Sequence, residues 1–329
     1  MNTNILKMVF GATVLLGMSS CSTKEFAIAS GDESLTTLTK VTDNEEPCGD
    51  PFGGDEGGAL FFAARESGKY WNIYKKENPF SAAITQKTSG KNYNYEPVYC
   101  PVTGKIAFRC QNEGSSTSDI FIMSDAKGKA LSQITETSDA YEGYPSFSPD
   151  GKFVVYHKVS YSYYKSMGGF FGLFGAKVIT VVKNSEIWLK NLTTGETVLL
   201  GNGYQPSFSP DGERIAYVKY SSDAESCAIW TMEIDGSNPM QITDAKKGFA
   251  YDPCWSPDGT KLVFSSYKKD KKDHDLYVID ADGNNLKQLT KNKSYDGQPY
   301  WTRDNYIYFT SDRGGKMGNQ QIWRFKYND

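Results

Sequence analysis

Short segments of alternating apolar and polar residues, separated by turns rich in proline, aspartate and glycine, run along almost the whole chain. Residues 261–264 (KLVF) and 275–280 (DLYVID) show the pattern. Alternation with a period of two over four to eight residues predicts a half-buried β-strand. The turns read Ser-Pro-Asp-Gly or Asp-Gly, in which proline fixes φ and glycine tolerates a positive φ. The pattern therefore predicts an all-β protein built from many short strands.

The whole pattern occurs six times. Three well-matched copies read PSFSPDGKFVVY from Pro145, PSFSPDGERIAY from Pro206 and PCWSPDGTKLVF from Pro253, and weaker copies begin at Pro51, Pro97 and Pro299. A third strand follows, then a second glycine turn such as the one at 282–284, and a fourth strand that ends in Ile-Thr or Leu-Thr at Thr135, Thr243 and Thr290. Four antiparallel strands in a repeat of this length are typical of a propeller blade. We therefore expect a six-bladed β-propeller with four-stranded antiparallel blades.

The two ends of the repeat array complement each other. The sixth repeat ends at residues 327–329, directly after its third strand, whereas residues 38–43 (LTKVTD) resemble the fourth strands of other repeats, such as QLT at 288–290. We expect this N-terminal strand to complete the last blade and to close the ring non-covalently. The propeller would then comprise residues 35–329.

Several of these runs resemble the TolB-type propeller repeat. They are PSFSPDG at 145–151 and 206–212, DLYVIDADGNNLKQLT at 275–290 and FTSDRGG at 309–315. The resemblance covers residues 35–329 and implies the fold more than an activity, because propellers host many unrelated functions. TolB has an additional α/β domain ahead of its propeller, for which this chain has no room. The resemblance alone therefore does not imply the biological roles of TolB.

The N-terminus is typical of a bacterial lipoprotein signal. Residues 8–18 (MVFGATVLLGM) form an uncharged apolar run, too short to span a membrane, and Ser19-Ser20-Cys21 follows. We predict a signal peptide at 1–20, lipidation of Cys21 and a tether at 21–34, which would anchor the protein to the outer membrane of the cell envelope, facing the periplasm or the cell surface. The alternative is a plain secretory signal with an incidental cysteine.

Composition excludes several classes of function. With 36 Lys and Arg against 39 Asp and Glu, the net charge is −3, which argues against a nucleic-acid partner. Two histidines cannot build a His-rich metal centre, and there is no G-x-S-x-G motif. We expect no metal and no cofactor, and a monomer. The odd number of cysteines after Cys21 leaves at least one unpaired, and their pairing stays open: Cys48, Cys100, Cys110, Cys227 and Cys254.

The repeat that begins at Pro145 contains an insertion at about 159–186. Its two arms are rich in β-branched and aromatic residues and predict a long hairpin, whose tip at 166–175 is apolar. Exposed Phe170, Phe171, Leu173 and Phe174 would form an interaction patch for a lipid, a partner or a ligand. The alternative is that the tip packs on a neighbouring blade.

The loops that join one repeat to the next should lie on the same face as this insertion, with their last residues at the mouth of a central channel. The candidate ligand-binding residues there are Tyr95, Glu96, Tyr144, Gln205, Tyr251, Asp252 and Gln298. Aromatic rings beside amides and carboxylates suit a sugar or a peptide. The alternative is that the tyrosines only wedge adjacent blades.

These observations favour a non-catalytic envelope lipoprotein that binds or scaffolds a protein or glycan partner. The alternative is a propeller enzyme of the glycosidase or lyase type that acts on an oligosaccharide or peptide, with Glu96 and Asp252 as acid and base. A third hypothesis, by analogy with TolB, is an assembly factor for outer-membrane components.

Overall fold

The computed structural model describes residues 35, 37–43, 46–53, 58–65, 69–126, 131–166, 177–268, 274–315 and 318–328. Apart from one 3-10 turn at Ala245–Lys247, the regular structure of these residues is β-strand. The strands are β1 Thr39–Lys40, β2 Cys48–Gly53, β3 Leu60–Ala64, β4 Asn72–Lys76, β5 Ile84–Gln86, β6 Asn92–Cys100, β7 Lys105–Asn112, β8 Asp119–Ser124, β9 Leu131–Gln133, β10 Ala140–Phe147, β11 Phe153–Ser166, β12 Lys177–Asn191, β13 Thr197–Asn202, β14 Tyr204–Phe208, β15 Arg214–Tyr220, β16 Cys227–Glu233, β17 Met240–Gln241, β18 Phe249–Trp255, β19 Lys261–Tyr267, β20 Asp275–Asp280, β21 Lys287–Gln288, β22 Asp296–Trp301, β23 Tyr306–Ser311 and β24 Gln321–Lys326.

The strands pair in chain order into antiparallel sheets. Four sheets have four strands each, namely β2–β5, β6–β9, β10–β13 and the set β22, β23, β24, β1. Strands β14–β21 form a larger sheet, in which β14–β17 and β18–β21 meet through a parallel bridge between Cys227 and Phe249. The all-β, propeller-like class with four-stranded antiparallel sheets is thus confirmed.

The Ser-Pro-Asp-Gly sequence forms the turn between the first two strands of a repeat. In the turn at 148–151, Ser148 Oγ donates to Asp150 Oδ1 at 2.7 Å and accepts from the Phe153 N–H at 2.9 Å, while Gly151 has a φ of 70°. The turns at Ser209 and Ser256 make the same bonds. Side-chain bonds to nearby backbone groups explain why this tetrapeptide sets the strand register.

A threonine two residues after the fourth strand has an equally specific role in five of the repeats. Its hydroxyl accepts a hydrogen bond from a backbone N–H of the third strand, at 2.9 Å in each case. The pairs are Thr88 with Ile73, Thr135 with Ile120, Thr243 with Ile229, Thr290 with Leu276, and Thr42 with Ile322. Thr42, from the start of the chain, therefore makes the same bond to β24 that the other threonines make within their own repeats. Next to it, Thr39 pairs with Arg324 and Lys40 with Trp323.

The apolar core lies between neighbouring sheets. Phe62 and Tyr74 of the β2–β5 sheet pack in one cluster with Tyr308 and Ile322, which belong to β23 and β24. The first and last repeats therefore share buried surface. Burial of such side chains is the main stabilising contribution to a fold of this kind.

The insertion is a long hairpin. Strands β11 and β12 stay paired from Phe153 with Asn191 to Ser166 with Lys177, well beyond the last pairing of β10 with β11 at Ala140 and Ser160. Tyr161 packs against a cluster that contains Val218 and Ile229 of the next repeat. The tip, with Phe170, Phe171, Leu173 and Phe174, lies outside the described residues, as does Cys21.

Candidate ligand-binding site

Every repeat begins with a residue–proline pair at a β-bulge. The six residues before these prolines are Asp50, Glu96, Tyr144, Gln205, Asp252 and Gln298, and we call them the bulge ring. All six have a φ between 50° and 56°, a left-handed conformation that is uncommon for residues other than glycine. They and their prolines line one cavity of about 150 Å³. The bulges therefore turn one side chain per repeat towards a common centre.

The bulge ring is held together by a circuit of hydrogen bonds. The backbone N–H of each ring residue donates to a side chain of the preceding repeat, over distances of 2.6 to 3.3 Å. Glu96 N–H donates to Asp50, Tyr144 N–H to Glu96, Asp252 N–H to Gln205, Gln298 N–H to Asp252, and Asp50 N–H to Gln298. Carboxylates and amides at these positions thus have a structural role, because they satisfy buried backbone donors.

His157 completes the circuit where the ring residue is a tyrosine. The side chain of Tyr144 has no carbonyl or carboxylate oxygen, so the Gln205 N–H donates instead to His157 Nδ1 at 3.1 Å. Burial, with a smaller contribution from Arg109, lowers the pKa of His157 to about 3, so the imidazole is neutral. This bond explains why a histidine occurs on β11. Its Nε2 has no hydrogen-bond partner among the described residues.

Negative charge is concentrated at the ring. Arg109 donates to Glu96 Oε1 at 3.0 Å and stacks on the rings of Tyr95 and Tyr141, while the Tyr141 hydroxyl donates to the same oxygen at 3.2 Å. Burial and the neighbouring Glu96 raise the pKa of Asp50 to about 7.

Asp252 is the third carboxylate of the ring. It accepts hydrogen bonds from Gln205 Nε2 at 2.6 Å and from Ser265 Oγ at 3.0 Å. Burial raises its pKa to about 6, above the ordinary range of an aspartate. Arg109 therefore interacts with Glu96 and Asp50, and Asp50 and Asp252 gain a proton as the pH falls through about 7 and about 6.

A second cavity, of about 210 Å³, continues from the first towards the Ser-Pro-Asp-Gly turns. The two cavities share one lining residue from each repeat: Phe52, Val98, Ser146, Ser207, Cys254 and Tyr300. Phe52 and Tyr300 pack together with ring centroids 4.2 Å apart, whereas the facing residues from the third to fifth repeats are small. The two cavities form one channel with an aromatic wall opposite a wall of small polar residues.

The structure brings together five of the seven residues predicted for the site. Glu96, Tyr144, Gln205, Asp252 and Gln298 line the cavity, whereas Tyr95 and Tyr251 directly precede ring residues and do not line it. Asp50 was missed, although it precedes the proline of the most degenerate repeat and could have been found by that position. His157 could not have been found from spacing.

The cysteines and His274 can now be placed. Cys48, Cys100, Cys110, Cys227 and Cys254 form no disulfide bonds within the described part of the chain, and Cys254 borders the channel. His274, which the charged sequence around it predicts to be solvated, packs between Tyr267 and Tyr295, with centroids 4.3 and 5.0 Å away. The described residues contain no group of three or more His, Cys, Asp or Glu side chains placed to hold a metal ion. Within the same residues, no helix has the length and apolar character to cross a membrane.

Comparison with known proteins supports the fold. Residues 191–329 match the family model described as the TolB beta propeller domain. A chain described as a TolB candidate from Agrobacterium tumefaciens is 19% identical, with a TM-score of 0.59 over 89% of this chain and 97% of that chain. TolB from Acinetobacter baumannii is also 19% identical, with a TM-score of 0.57 over 84% of this chain and 65% of its own. The TolB-like propeller character indicated by the repeats is thereby confirmed.

Other similar proteins have different functions. Oligogalacturonate lyase from Vibrio parahaemolyticus is 15% identical, with a TM-score of 0.57 over 92% of this chain and 97% of that chain. The alpha subunit of hydrazine synthase from Kuenenia stuttgartiensis is 28% identical over 166 residues, which are 46% of this chain and 15% of that subunit. These similarities show a common fold and leave the activity open.

Proposed function

We propose that this protein is a non-catalytic lipoprotein of the cell envelope, anchored to the outer membrane through Cys21, whose propeller binds a protein or glycan partner. In this proposal residues 35–329 form six blades in one closed ring, latched where β1 completes the last sheet. The pairing of β1 with β24, and the circuit of hydrogen bonds from Asp50 back to Gln298, support the closed ring.

The observation that carries the proposal is how the cavity carboxylates are engaged. Glu96 accepts bonds from Arg109, Tyr141 and the Tyr144 backbone, and it is 9% exposed. These bonds occupy both carboxylate oxygens and leave the group poorly placed to move a proton. The ring therefore supports binding in a shaped, preorganised cavity more than acid–base catalysis.

The enzyme alternative has one observation in its favour. Asp252 lies in the same cavity as Glu96, and its pKa of about 6 approaches the range of a general acid. Under this hypothesis Asp252→Asn should abolish turnover of polygalacturonate or of neutral oligosaccharides, measured by mass spectrometry of the products. Wild-type protein that releases no product from either substrate class would contradict it.

The binding hypothesis is tested by crosslinking from inside the channel. A photoreactive amino acid at position 207, which borders both cavities, should give a discrete adduct in intact cells, whereas the same residue at exposed position 132 on β9 should not. Absence of an adduct from position 207, or equal adducts from both, would overturn the proposed binding role of the channel. Loss of labelled palmitate on Cys21→Ser tests the anchor.

A further inference from the structure

Tyrosine side chains surround the bulge ring on the side that bears the inter-repeat loops. Tyr95, Tyr204 and Tyr251 each directly precede a ring residue. In the third and sixth repeats that position is Gly143 or Gly297, and a tyrosine two residues earlier folds over the glycine. We call these five residues the tyrosine collar: Tyr95, Tyr141, Tyr204, Tyr251 and Tyr295.

Two close approaches define this packing. A Cβ atom on Gly143 would lie 3.0 Å from the Tyr141 ring, and one on Gly297 would overlap the Tyr295 hydroxyl. Glycine is therefore required at both positions for the tyrosine to reach over the ring. All members of the collar except Tyr204 are partly exposed. The first repeat has no such tyrosine, since Gly49 follows Cys48 and Pro47, and it leaves a gap in the collar.

The hydrogen-bonding groups at this mouth are carboxylates, side-chain amides and phenols. All six backbone N–H groups of the bulge ring are already bonded within the circuit, and the side-chain amides of Gln205 and Gln298 donate to Asp252 and Asp50. Burial raises the pKa of Tyr95, Tyr141, Tyr251 and Tyr295, so their phenols stay neutral and can both donate and accept. The mouth therefore suits an uncharged ligand that carries both donors and acceptors, as the hydroxyl groups of a sugar do.

The same inventory argues against two kinds of ligand. The lining of the smaller cavity has no lysine or arginine among the described residues, and Arg109 is engaged by Glu96. An anionic ligand would therefore find no cationic partner in this cavity. All six ring N–H groups are engaged, so a peptide backbone could not pair with them as it pairs with a strand. Sugar hydroxyls donate to carboxylates, and the apolar face of a pyranose packs on aromatic rings.

We infer that the tyrosine collar and the bulge ring bind a neutral glycan. The inference rests on the proposed binding function and specifies its ligand class. It also separates this protein from an enzyme that acts on polyuronates, which would need cationic groups at the same place.

Native affinity electrophoresis of the full-length protein in nonionic detergent tests the inference. Gels containing laminarin, α-mannan, dextran or xyloglucan should retard the wild type in at least one case, and a polygalacturonate gel should not. Tyr251→Ala should weaken the retarding interaction about tenfold, while Tyr251→Phe, which keeps the ring face, should weaken it less than about threefold. Tyr277→Ala is the matched control, because Tyr277 packs on Phe264 within β19 and β20 and lies outside the tyrosine collar.

Three outcomes would overturn the inference. They are no retardation by any neutral polysaccharide, equal or stronger binding of polygalacturonate, and tight binding of a cationic amine such as spermidine with no neutral glycan bound. If glycans fail but the channel adduct from position 207 forms, only the ligand class is wrong. If both fail, the proposed binding function is wrong as well.

Discussion

Two buried glutamates in adjacent repeats should respond in opposite ways to the same isosteric change. Glu96 is 9% exposed and paired with Arg109, itself 8% exposed, whereas Glu142 is 1% exposed and its Oε2 has no hydrogen-bond partner among the described residues. Glu96→Gln leaves a buried guanidinium without its counter-charge and places an amide donor against the Arg109 or Tyr144 N–H. Breaking a buried pair on one side costs about 3–5 kcal/mol.

Glu142→Gln removes a charge that the fold tolerates poorly. Burial raises the pKa of Glu142 to about 7, and its nearest cation, Lys158 Nζ, is 3.8 Å away. Because the pKa of Glu142 is higher in the folded than in the unfolded protein, the free energy of unfolding of the wild type falls as the pH rises from about 4.5 to about 7. The variant should therefore be more stable than wild type by on the order of 2 kcal/mol at pH 8, and by much less at pH 5.

Urea unfolding followed by tryptophan fluorescence measures both effects. With an m-value of about 3 kcal/mol/M, Glu96→Gln should lower the midpoint by about 1–1.7 M, while Glu142→Gln should raise it at pH 8. A midpoint for Glu96→Gln within about 0.3 M of wild type would refute the structural role of the ring carboxylate. A loss of stability in Glu142→Gln equal to that in Glu96→Gln would show that burial alone decides both results.

Three further predictions test separate features. Thr42→Val and its counterpart Thr243→Val should each lower the free energy of unfolding by about 1–3 kcal/mol, because each leaves a buried N–H without an acceptor. If Thr42→Val has no effect while Thr243→Val destabilises the protein, residues 38–43 are not equivalent to a fourth strand. The pKa of His157 is lower in the folded than in the unfolded protein, so the wild type should lose stability as the pH falls below 6.5. The Tm difference between wild type and His157→Gln should therefore change by the equivalent of about 2–3 kcal/mol between pH 7.5 and pH 4.5. A Tm difference that stays constant would refute a buried neutral imidazole. Gly297→Ala should destabilise the protein by about 1–3 kcal/mol in urea unfolding. Gly315→Ala should have almost no effect, because its added Cβ atom would meet nothing closer than 3.6 Å. Equal effects of the two changes would contradict the close approach of Tyr295 to Gly297.

The strand order of the fold follows from local sequence. The Ser-Pro-Asp-Gly turns carry their own hydrogen bonds, so the tetrapeptide predicts both the turn and the strands on either side. The threonine that follows the fourth strand in five of the six repeats is equally local in its effect, and residues 38–43 contain the same threonine at Thr42. The degenerate first repeat is recognisable by its proline and aromatic positions.

The candidate site could be predicted only in part. Residue–proline pairs identified most of the bulge ring, because the bulge occurs at the same point of every repeat. His157 replaces Tyr144 as the acceptor for the Gln205 N–H. This replacement depends on packing between strands that are far apart in sequence, and no spacing encodes it. Tyr95 and Tyr251 were predicted beside Glu96 and Asp252, but the bulge turns only the second side chain of each pair into the cavity.

The short strand β1 has a mechanical consequence. Tension applied to the chain before Leu35 reaches β1 before any other strand, and β1 is held to β24 by two residue pairs, the Thr42 hydrogen bond and a bond from Lys326 N–H to Thr37 Oγ1 at 2.7 Å. Every other sheet in the described structure carries its strands in one continuous stretch of chain. Under load, the pairing of β1 with β24 should therefore break before the strands of the other sheets separate.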